Sequence, residues 1–211
     1  MERAGITGQT KIKYHREASA APAPLSELAK AFDPVIQSAH WLTLLLMICL
    51  FSTAAVAEAG VSDEAKRLVI QLHRSFGLTL WIVTILRLTW RQFAEFPDWP
   101  LHMPRALGII MSYGERLLYF LLLLQPVLGL LYTNARGNAV QLYFLIRIPP
   151  LISQDQELAR NLIAVHAFVA GLLLIVIAVH ASAMLYRHFI RRDNALHRML
   201  PNALHGRRRP G

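Results

Sequence analysis

The chain has 211 residues, of which 55% are hydrophobic and only 17% charged, with a mean hydropathy of +0.37. Those values exclude an ordinary soluble domain, which carries more charge and fewer long apolar runs. The formal charge of +9 invites a nucleic-acid reading, but the basic residues lie between apolar runs rather than in one patch, which is the topology pattern of a membrane protein with no nucleic-acid partner.

Residues 1–30 are polar, basic and rich in Ala and Pro, without periodicity, and read as a flexible cytoplasmic tail. Asp33-Pro34 then has the form of a helix start, a capping carboxylate followed by Pro in the first turn. The first span is predicted over about 35–57 and contains His40. Its position behind a polar stretch, with no small-residue cleavage site after it, argues against a removable signal peptide. Cys49, the single cysteine, reads as a buried inert thiol. There is no C-x-x-C pair and no C-x-x-C-H site for covalent haem attachment.

Ser62, Asp63 and Glu64 open the second helix, whose membrane part is predicted from Leu68 to Trp90, with His73 near its start and Arg87 near its end. Residues 92–112 hold Pro97, Pro100 and Pro104 and read as a connector. The third span is predicted over 113–132, with a kink at Pro126 and Gly129. Residues 133–160 form the longest loop. The fourth span covers about 161–188, and a basic tail closes the chain. The reading is an all-α, four-helix transmembrane bundle occupying 31–192, between tails at 1–30 and 193–211. Sixteen of the Lys and Arg residues fall on the side of the termini and six on the other, so both termini are assigned to the cytoplasm.

Span four carries His166 and His180, fourteen residues apart. Fourteen steps of about 100° fall about 40° short of four turns, so both imidazoles leave one helix face, about 21 Å apart along the axis. Counting from the span ends pairs His40 with His180 at the cytoplasmic level and His73 with His166 near the outer surface. A lone membrane histidine can be an interhelical hydrogen-bond donor or a proton relay. Four at two matched depths point instead to bis-histidine ligation of two b-type haems. Zinc fits poorly, because the pairs lie too far apart for one tetrahedral site. Gly77, four residues after His73, and Gly171 are candidates for close porphyrin approach, or plain packing glycines. Arg74 outside, and Arg87 or Arg91 inside, are candidates for haem propionates, or snorkelling anchors.

Several stretches resemble the bacterial cytochrome b561 family: D-P-V-I-Q-S-A-H-W-L-T around His40, L-H-R-S-F-G-L-T-L around His73, and R-R-D-N-A-L-H-R-M-L-P after span four. The loop segment N-A-R-G-N-A and the histidine spacing of span four are similar too, and the likeness covers about 31–201. It implies a four-span, diheme, quinone-linked cytochrome of the bacterial inner membrane, often a homodimer, with these four histidines as axial ligands to the haem irons. For some members it also implies oxidation of superoxide at the outer face with ubiquinone as acceptor. Two functions stay open on the sequence: an oxidoreductase taking electrons from a small donor such as superoxide to quinone, and an electron-transfer subunit serving a separate redox protein. The outer loops carry six basic and five acidic residues, so only their spatial grouping decides whether the mouth attracts an anion.

Overall fold

The computed structural model describes residues 32–94 and 105–191, together with Leu196 and Met199. The expected tails at 1–30 and 193–211 fall, those two residues apart, outside the described residues.

Four long helices make up the fold: α1 (Pro34–Glu58), α2 (Asp63–Trp90), α3 (Arg105–Ala135) and α4 (Gln156–Phe189). Each is long and apolar enough to cross a membrane, α3 from Gly108 onward. Asp33 caps α1 by accepting from the Val35 and Ile36 amides, Ser62 caps α2 through Ala65, and Asp155 caps α4 through Glu157 and Leu158. Those caps satisfy amides that the helices themselves cannot.

The structure departs from the sequence reading in α3 and in the loop after it. α3 begins at Arg105, inside the predicted connector, because the prolines end at Pro104 and the residues after it, though amphipathic rather than continuously apolar, are good helix formers. Pro126 lies inside this helix. The loop between α3 and α4 contains two short antiparallel strands, β1 (Val140–Leu142) and β2 (Ile146–Ile148).

α1 packs on α2, α2 on α3 and α3 on α4, with β1 lying against α2 and α3. The core is one apolar layer of Leu46, Met47, Leu80, Leu121, Leu122, Val169 and Leu173. Leu173 is seven residues from His166 and seven from His180, so this layer lies midway between the two histidine levels. Large apolar side chains such as Leu45, Leu86, Phe120, Phe168 and Ile175 point outward. A belt of that kind is at home in hydrocarbon, where every backbone polar group must be satisfied within the helices.

Candidate haem sites

The structure brings His73 of α2 to His166 of α4, with ring centroids 6.3 Å apart and planes at 69°. Two imidazoles sharing one metal at bonds of about 2 Å hold their centroids roughly 6 Å apart. The separation therefore suits a common iron. His73 Nδ1 lies 3.0 Å from the Leu50 carbonyl, with Thr53 Oγ1 at 3.2 Å. A ring nitrogen facing a carbonyl must carry the proton, which leaves Nε2 with its lone pair free for a metal. His166 Nδ1 is buried on the α3 side of its ring, beside Gly129 and within reach of the Gln125 backbone, which leaves Nε2 as the atom for a metal.

α3 holds His166 from behind. Gln125 Nε2 donates to the His166 carbonyl at 2.9 Å, and Gly129 lies under the ring. A Cβ there would stand 3.2 Å from His166 Cε1 and 3.5 Å from Nδ1. Neither residue was picked out as part of a site from the sequence. Gln125 carried a signal all the same, as the one amide inside the run L-L-L-L-Q-P.

At the other level, His40 of α1 is within electrostatic reach of His180 of α4 and of Arg87, and His180 feels Arg87 and Glu115. Arg87 stacks over the Tyr119 ring at 5.3 Å, while its Nε is buried without a partner among the described residues. Arg91 differs. Its guanidinium forks onto the Glu115 carboxylate, with Nη2 3.2 Å from Oε2. Of the two arginines proposed for the inner end, Arg87 is thus the one with an unsatisfied buried donor. Each histidine pair joins the α1–α2 half of the bundle to α4.

Arg74, next to His73, lies near Tyr132 and Arg136, and Arg136 is exposed, with Nη1 3.3 Å from the Tyr132 hydroxyl. Two positive groups therefore lie near each other at the His73–His166 end of the bundle. Gly77 faces α1, where a Cβ would meet Leu50 Cδ2 at 3.9 Å, whereas Gly171 has open space around it. Beside the His180 level an open cleft of about 470 Å³ lies between α3 and α4, lined by Met111, Ala178, Val179, Ser182, Tyr186 and Arg187 among others. Arg187 is 6% exposed there and has Nη1 3.9 Å from Met111 Sδ.

Residues 31–202 match the family model described as prokaryotic cytochrome b561. The chain is 28% identical over 164 residues to a probable superoxide oxidase of Yersinia pestis named CybB, covering 77% of this chain and 91% of that one. It is 25% identical over 163 residues to cytochrome b561 homolog 2 of Escherichia coli, covering 76% and 86%, and 24% identical over 163 residues to homolog 1 of the same organism, covering 77% and 92%. With its four membrane-spanning helices and histidine pairs, the chain belongs to the prokaryotic cytochrome b561 family, whose members are membrane electron-transfer proteins built around b-type haem.

Proposed function

We propose that this cytochrome holds two b haems and carries electrons from a small external donor, superoxide, to ubiquinone in the bacterial inner membrane, with both termini in the cytoplasm. The observation that carries the reading is the 6.3 Å separation of His73 and His166, with His180, four turns along α4 from His166, within electrostatic reach of His40. His73 and His166 would hold the outer haem, and His40 and His180 the inner one. Bound haem iron supplies reversible one-electron storage, at potentials set by its axial ligands and their hydrogen bonds.

The chain's own residues do the rest. Leu50 and Thr53 fix the tautomer and angle of His73, while Gln125 and Gly129 fix His166. Arg87 supplies positive charge beside the inner pair for propionates, and Gly77 lets the cofactor lie near backbone. Arg74 and Arg136 draw an anion to the outer mouth. An apolar acceptor confined to the membrane finds room in the cleft beside Arg187, whose size is typical of small-molecule sites. In balance, two superoxide anions each lose one electron to become dioxygen, and the two electrons with two protons reduce one ubiquinone to ubiquinol.

The test is haem quantitation with stopped-flow reduction by superoxide, with and without ubiquinone. Two extractable haems per chain, reduced by superoxide and reoxidised by ubiquinone, are expected. Haem that superoxide leaves oxidised would transfer the function to a protein donor.

A further inference from the structure

The β1–β2 hairpin is an unusual object to find between two membrane helices. Its register pairs Val140 with Ile148, Gln141 with Arg147 and Leu142 with Ile146, leaving Tyr143, Phe144 and Leu145 as the tip. Tyr143 and Phe144 have φ of +47° and +64°, and the Leu145 amide donates to the Leu142 carbonyl at 2.9 Å. That is the geometry of a primed hairpin turn, which Asn and Gly enter freely and bulky aromatics do not. An apolar tip in a left-handed turn needs something to hold it.

α2 does so with a polar stripe. Gln71, Ser75 and Thr79 recur every four residues and so share one helix face, about 160° from His73. Gln71 Nε2 donates to the Gln141 carbonyl, Ser75 Oγ accepts from the Tyr143 amide at 2.9 Å, and Thr79 Oγ1 meets the Tyr143 hydroxyl at 2.8 Å. Ser75 is wholly buried by this docking, and Phe76 packs edge-on against Tyr143 at 6.1 Å. The inner edge of β1 is thereby satisfied by side chains. On the outer side β2 is three residues long and runs into Pro149-Pro150, which have no N–H to leave unpaired.

The depth of this docking is the decisive quantity. Lys66 and Arg67 precede the apolar part of α2, which starts at Leu68. Ser75 is seven residues further in, about 10 Å along the axis, and Thr79 is about 16 Å in. Arg74, beside Ser75, is the last charged residue of α2 before Arg87, and Thr79, which Tyr143 meets, lies five residues past it, about 7.5 Å further in, so the hairpin descends along the α2–α3 groove below the Arg74 level. At that depth Leu145 is 86% exposed, with Phe144 and Ile146 more than half exposed. Arg147, between the tip and the prolines, is long enough to reach back toward the surface.

We propose that the 140–148 hairpin is a re-entrant element whose tip lies in the hydrocarbon of the leaflet surrounding the His73–His166 level, with acyl chains covering Phe144, Leu145 and Ile146. Non-helical backbone survives at such depth only where protein satisfies its polar groups, which is what the Gln71–Ser75–Thr79 stripe provides. A second copy of the chain is the rival cover for the same residues.

Spin labelling separates the outcomes. Leu145→Cys in a Cys49→Ala background carries a nitroxide, and the haem-loaded protein is reconstituted in phosphatidylcholine–phosphatidylglycerol nanodiscs. Labels at Ile175→Cys, on the lipid side of α4, and Glu157→Cys, outside the apolar region, set the limits. Collisions with oxygen as frequent as at Ile175, and loss of collisions with a water-soluble nickel chelate, are expected. Nickel collisions equal to those at Glu157 would overturn the proposal by placing the tip in water. Shielding from both reagents would overturn it in favour of the second copy. Ile146→Cys serves as a repeat position if the first variant does not accumulate.

Discussion

Gly129 lies so close beneath His166 that a Cβ in its place would stand 3.2 Å from the imidazole Cε1. The glycine is thus part of how α3 sets the angle of a ring on α4. Gly129→Ala should push His166 aside or bend α3, at a cost typical of overpacking, about 1–3 kcal/mol. Haem content by pyridine haemochrome should fall toward one per chain while the helical circular dichroism stays. Full loading of Gly129→Ala would show that the ring has room to spare. Gly114→Ala, on the same helix, is the useful companion, since a Cβ there has nothing within 4 Å.

Haem loss should divide by level. His73→Ala and His166→Ala are expected to give one spectral phenotype, and His40→Ala and His180→Ala another, each retaining about half of the haem absorbance. Low-temperature difference spectra resolve the two. A His40→Ala spectrum identical to that of His73→Ala would refute the pairing.

Positive charge at the outer mouth should appear as a salt-dependent rate. Reduction by superoxide is expected to slow as ionic strength rises, because at ~0.1 M salt charges are screened beyond about 10 Å. Arg74→Gln and Arg136→Gln should each flatten that dependence. A rate indifferent to salt in the wild type would remove the steering role.

Ser75 accepts the Tyr143 amide in a site closed to solvent. Ser75→Ala orphans that N–H, a loss of about 1–3 kcal/mol. We expect a lower thermal midpoint in detergent and faster proteolysis within 140–148, with both haems still bound at low temperature. Unchanged proteolysis would mean that other contacts hold the hairpin.

The four spans and the approach of His73 to His166 were legible in the sequence because both depend on simple distances along a helix. The periodicity that places His166 and His180 on one face of α4 is set by the backbone alone. What holds each ring was not legible, since Leu50 acts through its carbonyl and Gly129 through the absence of a side chain. Neither leaves a mark in composition. The hairpin was missed for a related reason. Its turn residues, Tyr143 and Phe144, are not the Asn-Gly type that announces such a turn, and the groups that stabilise it sit about 70 residues earlier on α2. Gln71, Ser75 and Thr79 were visible as polar residues in an apolar helix, yet only the docked strand explains them. The start of α3 was misplaced because prolines at 97, 100 and 104 drew the whole segment into the connector, although the last of them ends just where the helix begins.

Leu173 stands halfway between His166 and His180 on the same helix, 1% exposed, within a layer that includes Leu46, Met47, Leu80, Leu121, Leu122 and Val169. Electrons can tunnel through such a layer, because tunnelling needs proximity and no chemical partner. A proton needs a relay of carboxylates, imidazoles or water, and these seven side chains offer none. If the two proposed haems exchange electrons across this layer, the layer offers ions no matching path. Oxidation on one side and proton-consuming quinone reduction on the other would then add to the membrane potential instead of short-circuiting it.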